Sequence, residues 1–301
     1  MKDSIFDGFK KAVEQEKLGV HGIRVSMANG ESKEYRWGEN KREPIYSGTK
    51  TFTSCAVGLC EQEERFSLND DLLSYFPEYQ TTCAPGAEKI KIKDVLHMVC
   101  GHNSFQFSCS DKMEETEDWA DLFFKEPMEF EPGKKFVYSN SCSYMLSRLV
   151  EKTTGESLSK YLDSRLFQPL EIESPQWDTC SHGHTMGGMG LHLTTEEFSR
   201  LGLLFLQGGV YQGKQVMPAD YLKRAVTDVF PLPDARYPDP KGYGYHLWVA
   251  REENLFRFDG MKGQYCMVCP DKQAVVTVTS NESSGYNRIV SAVYQDVLPR
   301  L

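Results

Sequence analysis

The feature that most constrains this chain is a run of small and apolar residues that begins directly after Ser47-Gly48-Thr49-Lys50. The run has no charged residue before Glu61, and its small side chains predict a helix thin enough to be buried. Ser47 and Lys50 are three residues apart, so on such a helix they lie on one face, one turn above each other.

This pair predicts a nucleophilic serine that works without a histidine partner. If Ser47 lies in the first turn, its hydroxyl gains from the positive end of the helix dipole and from unpaired backbone N–H groups. Lys50 in an apolar helix loses solvation, which lowers its pKa and makes it a proton acceptor. Activation of a serine by a neighbouring base is the usual requirement for covalent catalysis.

The same spacing occurs a second time, at Ser157-Leu158-Ser159-Lys160. About one chance match of this kind is expected in a chain of ~300 residues, so the spacing alone has little specificity. Here Gly155 is predicted to end one helix and Ser157 to cap the next. Charged residues surround Lys160, and we therefore interpret this copy as a capping serine and a surface lysine.

A second cluster, Tyr138-Ser139-Asn140, follows the turn Glu131-Pro132-Gly133 and precedes an amphipathic helix predicted to end near Gly155. A phenol at a helix entrance close to an ammonium group has a lowered pKa and can exchange protons with a serine. The amide of Asn140 can hold Lys50 or a substrate carbonyl. The alternative is a core tyrosine beside a helix-capping asparagine.

Taken together, Ser47-x-x-Lys50 and Tyr138-x-Asn140 resemble the penicillin-recognising serine hydrolases of the class C β-lactamase type. That group includes D-stereospecific peptidases, carboxylesterases and 6-aminohexanoate-oligomer hydrolases. Similar stretches cover nearly the whole chain from about Gly22 onward. The resemblance implies an active site in a cleft between a sheet and a helical part.

The third motif of these enzymes, Lys-Thr-Gly or His-x-Gly on a strand lining the site, is altered here. The best candidate is Met261-Lys262-Gly263, whose first position carries no polar side chain. On a strand, Met261 and Gly263 share one face and Lys262 points to the other. The alternative for Lys262 is a surface lysine in a loop. Loss of Lys or His at this place argues against the usual recognition of a substrate carboxylate, and so against a true β-lactamase or carboxypeptidase.

Gln264, His102 and Gly263 complete the predicted site. The backbone N–H of Gln264, together with that of Ser47, is predicted to form an oxyanion hole. His102 follows Gly101 in a loop that the resemblance places near the pocket, where it either lines the site or lies on the surface. Gly263 would allow a substrate to lie against the strand.

Periodicity predicts the fold class α/β (α+β), an antiparallel sheet flanked by N- and C-terminal helices with an inserted all-helical domain. Residues 1–46 and 240–301 are predicted to form the sheet domain and residues 47–239 the mainly helical domain, with the active site between them. The predicted sheet elements are a hairpin of residues 22–27 and 33–37 and the strands 245–249, 264–268 and 274–279, followed by a helix at 286–297.

The charge and the cysteine content limit which partners and which cellular compartment the sequence predicts. A net charge of -9 without a basic tract makes nucleic acid and anionic membranes improbable partners. The N-terminus lacks the apolar core of a signal peptide, and no stretch is long enough for a membrane span. Nine scattered cysteines do not form a disulfide framework, which predicts a reducing cytoplasm. Cys266-x-x-Cys269 has no second pair, so no metal site is predicted.

The sequence thus predicts a cytoplasmic serine hydrolase that cleaves a small-molecule or short-peptide ester or amide, without a cofactor. Ser47 forms the acyl-enzyme, and Lys50 and Tyr138 share the role of general base; which of the two accepts the first proton stays open. An esterase, amidase or peptidase is favoured over a β-lactamase. The alternative is a non-catalytic relative that binds a ligand or peptide in the same cleft. The predicted binding residues are Asn140, Met261, Lys262, Gly263, Gln264 and His102.

Overall fold

The computed structural model of the protein describes residues 1–103, 118–232, 240–250 and 254–301. Its helices are α1 (Asp7–Glu16), α2 (Thr49–Gln62), α3 (Ile92–Leu96), α4 (Trp119–Lys125), α5 (Asn140–Thr154), α6 (Leu158–Leu162), α7 (Thr195–Leu206), α8 (Ala219–Thr227) and α9 (Tyr286–Ala292). Its strands are β1 (Val20–Met27), β2 (Ser32–Arg36), β3 (Glu43–Pro44), β4 (His192–Leu193), β5 (Val210–Tyr211), β6 (Lys214–Gln215), β7 (Phe230–Pro231), β8 (Pro240–Tyr243), β9 (Trp248–Ala250), β10 (Phe256–Gly260), β11 (Gln264–Cys269) and β12 (Ala274–Ser280).

In the described part of the chain the main sheet has eight strands in the order β2-β1-β12-β11-β10-β9-β8-β7. Every neighbouring pair for which a register is defined runs antiparallel. The N-terminal hairpin and the C-terminal strands meet at the β1–β12 pair, where Val25 lies opposite Val276. The predicted fold class, an antiparallel sheet with helices from both termini, is confirmed.

The central strands are buried on both faces because two helical layers cover them. Along β11, Tyr265 and Met267 pack into a core shared with α1 and α9, whereas Cys266 and Val268 point into the larger core on the opposite face. This alternation of apolar side chains follows from the two-residue period of a strand. The predicted C-terminal helix is present as α9 and continues as one π-helical turn, Val293–Val297.

Helix α2 lies at the centre of the helical region, and every residue from Thr49 to Cys60 is buried. Small side chains are required there: a Cβ added at Gly58 would lie 2.5 Å from Cδ1 of Tyr221. The prediction of a thin buried helix is confirmed. Among the helices of the described ranges, none is both long enough and apolar enough to cross a membrane.

Helix α7 lies within residues 47–239 but packs on the main sheet. A Cβ added at Gly202 would lie 2.5 Å from Cγ1 of Val275 on β12, so the glycine allows the helix to approach the strands closely. The division of the chain into a sheet domain and a helical domain therefore stays a prediction.

Eight cysteines of the described residues are free thiols, and Cys109 lies outside them.

One predicted strand is wrong in part, and several strands of the main sheet were not predicted. The strand predicted at 245–249 begins only at Trp248, because His246 has a φ of 60° and the backbone N–H of Gly244 bonds the carbonyl of Leu247 in a tight turn. Strands β7, β8 and β10 were not predicted, although the alternation of Phe256 and Phe258 with charged residues in β10 has the period of a strand.

Candidate active site

Ser47 lies at the entrance of α2, in the short 3-10 turn Tyr46–Gly48. The preceding Tyr46 has a φ of 47°, a left-handed conformation that is uncommon for a residue with a side chain. Local strain of this kind often occurs at functional sites. Gly48 is needed for close packing, since a Cβ there would lie 2.8 Å from Cζ of Phe198. The half-buried Ser47 thus has its side chain held in place at the start of a buried helix.

Lys50 is 1% exposed, and its Nζ lies within hydrogen-bond distance of three neutral oxygen atoms. These are Oγ of Ser47 at 3.0 Å, Oδ1 of Asn140 at 2.6 Å and the carbonyl oxygen of Gly188 at 2.8 Å. The structure therefore brings together three of the residues predicted for the site. The fourth group, the Gly188 carbonyl, was not predicted, because a backbone atom leaves no side-chain signal in the sequence.

The Gly187-Gly188 pair explains how this carbonyl reaches a buried lysine. A Cβ at Gly187 would lie 2.4 Å from the carbonyl oxygen of Ser143, and one at Gly188 would lie 3.3 Å from Oδ1 of Asn140. Oγ1 of Thr53 donates to the Gly187 carbonyl at 2.6 Å and fixes the loop against α2. Paired glycines therefore allow the loop to approach the start of α5; they indicate a close backbone approach, but not which group the carbonyl meets.

Asn140 is the first residue of α5, and Ser139 caps the helix by accepting a hydrogen bond from the Ser141 backbone N–H at 3.1 Å. The alternative of a helix-capping asparagine is therefore wrong, because the cap is provided by the neighbouring serine. The side chain of Asn140 is directed instead at Lys50.

Tyr138 lies beside Lys50 and lines the same cavity as Ser47. Its ring stacks on Trp248, with centroids 5.7 Å apart and planes inclined by 13°, and Nζ of Lys50 lies 5.0 Å from the ring centroid. Tyr243 packs edge-on against both Tyr138 and Trp248. This aromatic packing orients the ring of Tyr138 next to the lysine.

The cavity has a volume of about 770 Å³ and opens between Ser47, strand β10 and the C-terminal helix. Its size lies within the usual range of small-molecule sites. Arg257 and Asp259 of β10 form an ion pair in its wall, with Nε and Oδ2 3.0 Å apart. Tyrosine, asparagine and glutamine side chains of the C-terminal helix supply most of the opposite wall, namely Tyr286, Asn287, Tyr294 and Gln295.

The third motif does not have the predicted geometry. Met261, Lys262 and Gly263 form the turn between β10 and β11, with Gly260 paired to Gln264, and so they do not alternate along a strand. Positive φ angles at Lys262 (62°) and Gly263 (87°) are the physical reason. Met261 is 49% exposed and lines the cavity.

The three residues after Met261 do not belong to the cavity wall formed by the described residues. Lys262 donates to Oδ1 of Asn281 at 3.0 Å, as a loop lysine would. The Gln264 side chain is buried and bonds the backbone of Ser280 on β12. The residue that sequence reasoning overlooked is Gly260: a Cβ there would lie 2.1 Å from the Ile45 carbonyl oxygen, so β10 passes directly beside the turn that carries the serine.

His102 is buried at 6% exposure, and the described lining of the Ser47 cavity does not include it. Its ring packs edge-on against Phe123, and it borders a separate small cavity with Met98 and Cys142. Burial lowers the pKa of His102 to about 4, so the ring is neutral at pH 7. Its burial contradicts the surface alternative for His102, and its place in the site stays a prediction. No cluster of three or more metal-ligating side chains occurs among the residues with a described position.

The chain is similar to known proteins both in sequence and in fold. A family model described as Beta-lactamase matches residues 12–296. Protein flp of Staphylococcus aureus (strain MRSA252) is 29% identical over 131 residues, which are 42% of this chain and only 26% of that protein. The fold is similar to that of a penicillin binding protein from Bacillus halodurans, with a TM-score of 0.73, 18% identity and coverage of 95% and 99%. A D-stereospecific amidohydrolase from Streptomyces sp. has a TM-score of 0.71, 18% identity and coverage of 95% and 97%.

Proposed function

The chain belongs to the Beta-lactamase family, and from this premise we propose that it is a serine hydrolase that cleaves an ester or amide bond through an acyl-enzyme on Ser47. The observation that carries the proposal is the set of acceptors around Lys50 Nζ. An amide oxygen and a backbone carbonyl oxygen can only accept hydrogen bonds, whereas the Ser47 hydroxyl can also donate one.

From this difference we infer the direction of the proton transfer. When Lys50 is a neutral amine, its two N–H groups donate to Asn140 at 2.6 Å and to Gly188 at 2.8 Å. The nitrogen lone pair is then directed at Oγ of Ser47, 3.0 Å away, and can take its proton as the hydroxyl attacks a carbonyl. When Lys50 is protonated, all three acceptors are satisfied, so the same cage holds both states of the base.

Tyr138 shares the work of the base. Tyr138 lines the cavity together with Ser47, and its ring is next to the ammonium of Lys50. We assign to it the return of a proton to the leaving group and, later, the activation of the water that hydrolyses the acyl-enzyme. Asn140 orients Lys50 during both steps.

The oxyanion hole is the part of the predicted mechanism that we revise. The Ser47 N–H remains one donor, and the N–H of Met261 replaces that of Gln264 as the second, because Met261 lines the cavity beside Gly260. Loss of one such donor typically costs about 2.7–4 kcal/mol of transition-state stabilisation.

The substrate proposed for this site is a small-molecule or short-peptide ester or amide. The described cavity wall has no lysine or histidine on β10 or its turn, and Arg257 is engaged by Asp259. Carboxylate recognition of the β-lactamase kind is therefore not supported, and an esterase, amidase or peptidase is favoured.

Intact mass after exposure to p-nitrophenyl esters and β-lactams, with Ser47→Ala in parallel, tests the proposal. We expect an acyl adduct or p-nitrophenol release in the parent protein. Ser47→Ala should show neither, and Lys50→Ala should not reach the normal rate. The matched controls are Ser157→Ala and Lys160→Ala, which alter the second Ser-x-x-Lys and should keep full activity. An active Ser47→Ala would refute the nucleophile, and a parent that forms no adduct and no product would favour the non-catalytic, ligand-binding alternative.

A further inference from the structure

His246 is a buried histidine at a point where three helices meet. It is 2% exposed, and its φ of 60° places the backbone in the left-handed region. Ring Nδ1 lies 2.9 Å from the carbonyl oxygen of Leu96 at the end of α3, and ring Nε2 lies 3.0 Å from Oγ of Ser143 on α5. The carbonyl of His246 accepts a hydrogen bond from Oγ1 of Thr51 on α2 at 3.0 Å.

These partners determine the tautomer of the ring. The Leu96 carbonyl can only accept, so Nδ1 carries the proton and donates it. Nε2 is then unprotonated and accepts the hydroxyl proton of Ser143. Burial, with a smaller contribution from the charge of Lys50, lowers the pKa of His246 to about 3. The ring is therefore neutral throughout the range in which a hydrolase would work.

Two of the three helices that His246 contacts, α2 and α5, each carry a residue of the active site close to that contact. Thr51 directly follows Lys50 on α2, and Ser143 lies one turn after Asn140 on α5. The lysine and asparagine side chains meet at 2.6 Å, a distance that changes if either helix slides against the other. One buried residue that bonds α2 through its backbone carbonyl and α5 through its ring limits that movement.

We propose that His246, as its neutral Nδ1–H tautomer, is a positioning residue that holds α2 against α5 and so fixes the contact of Lys50 Nζ with Asn140 and Ser47. The consequence for catalysis rests on the proposed function, in which Lys50 is the base. The positioning itself does not, because it can be measured on the resting protein. Displacement of a reacting group by about 1 Å can lower turnover about 10²-fold.

Two substitutions of His246 separate its two ring contacts. The amide of Asn in His246→Asn reaches the place of Nδ1 and can still donate to Leu96, but it loses Ser143; asparagine also tolerates a positive φ. In His246→Gln the longer side chain brings its amide oxygen to the place of Nε2 and can accept from Ser143. Ser143→Ala removes the same bond from the other side and tests the proposal even if the His246 variants fold poorly.

The first measurement is the NMR titration of 13C-labelled lysine, with the Lys50 signal assigned by its loss in Lys50→Ala. We expect His246→Asn and Ser143→Ala to shift the Lys50 midpoint in the same direction, with no further shift in the double variant, and His246→Gln to stay nearer the parent. An unchanged Lys50 titration in both His246→Asn and Ser143→Ala would overturn the proposal. This outcome does not depend on any activity, so it is distinct from failure of the hydrolase assignment, which the absence of an acyl adduct in the parent would show.

Kinetics with p-nitrophenyl acetate gives the second readout. We expect kcat to fall about 10²-fold in His246→Asn and Ser143→Ala with little change in KM, and His246→Gln to recover part of the loss. The matched control is His97→Asn, since the ring of His97 is also buried but bonds the Asp228 carbonyl at 2.9 Å. It should lower the melting temperature and leave kcat unchanged. If His97→Asn lowers kcat as much as His246→Asn, the effect is general destabilisation and positioning is refuted.

Discussion

Replacing Asn140 by aspartate places a carboxylate about where an amide oxygen now lies, 2.6 Å from Nζ of Lys50, with almost no change in volume. At this distance and an effective dielectric constant of about 20, the attraction between the two charges is about 6 kcal/mol. Asn140 is only 9% exposed, so the cost of burying the carboxylate cancels much of that gain. A neighbouring opposite charge typically shifts a pKa by about 1–3 units, and here it raises the pKa of Lys50.

A raised pKa keeps Lys50 protonated at neutral pH and removes the lone pair that takes the Ser47 proton. We expect kcat/KM of Asn140→Asp for p-nitrophenyl acetate to fall at pH 7.5 by at most about 10–10³-fold, because the neutral fraction of the lysine falls by no more than that factor. The rising limb of the pH profile should move upward by about 1–3 pH units, with recovery of activity at high pH.

The control is Asn140→Ala, which removes the acceptor without adding a charge. It should lose activity at every pH and show no upward displacement of the profile. An Asn140→Asp variant with the pH profile of the parent would refute the reasoning that Lys50 is the first proton acceptor, and would assign that step to Tyr138.

Three further predictions concern the walls of the site and the stability of the protein. Gly260→Ala should lower the free energy of unfolding by roughly 1–3 kcal/mol and reduce kcat, because its Cβ would lie 2.1 Å from the Ile45 carbonyl next to the serine turn; Gly38→Ala, with nothing within 4 Å, is the control in thermal melts, and equal melts for both would contradict the clash. Met261→Ala should change the free energy of unfolding by less than about 0.5 kcal/mol but alter KM across a series of esters of increasing size, and a constant KM would remove Met261 from the site. Burial lowers the pKa of His102 from 6.5 to about 4, so the unfolded chain binds a proton at a higher pH than the folded protein. The neutral ring therefore contributes to the free energy of unfolding above about pH 6.5. This contribution, up to about 3 kcal/mol, is lost as the pH falls towards 4. Urea titrations at pH 7 and pH 4.5 should show a smaller loss for His102→Gln than for the parent or the exposed His182→Gln, and equal losses would contradict this.

The helices that carry the site could be predicted from local sequence patterns, because helix formation depends on residues that are close together in the chain. The buried run after Lys50 is α2, and the amphipathic segment after Tyr138 is α5. The second Ser-x-x-Lys was separated from the first by its context, and the structure agrees: Ser157 caps α6 through the Lys160 backbone N–H, and the Lys160 side chain is 73% exposed.

The parts that could not be predicted depend on contacts between distant segments or on single backbone angles. The Gly188 carbonyl meets Lys50 across 138 positions in the sequence, and a carbonyl is present in every residue. Whether Met261 continues a strand or begins a turn is decided by left-handed backbone at Lys262 and Gly263, and lysine gives no indication of it. The predicted strand alternation is wrong at that turn, whereas Gln264 begins strand β11 as predicted.

The chemistry of the cage around Lys50 bears on the choice between a hydrolase and a non-catalytic relative. A buried ammonium is stabilised most by a carboxylate, yet the three acceptors described here are a hydroxyl, an amide oxygen and a carbonyl oxygen. A neutral cage favours the charged form of the lysine less than an ion pair would, and so it leaves the uncharged amine within reach. The Asn140→Asp exchange adds a carboxylate beside Lys50, so it should displace the pH profile of a hydrolase whose base is Lys50, whereas a non-catalytic relative has no such profile.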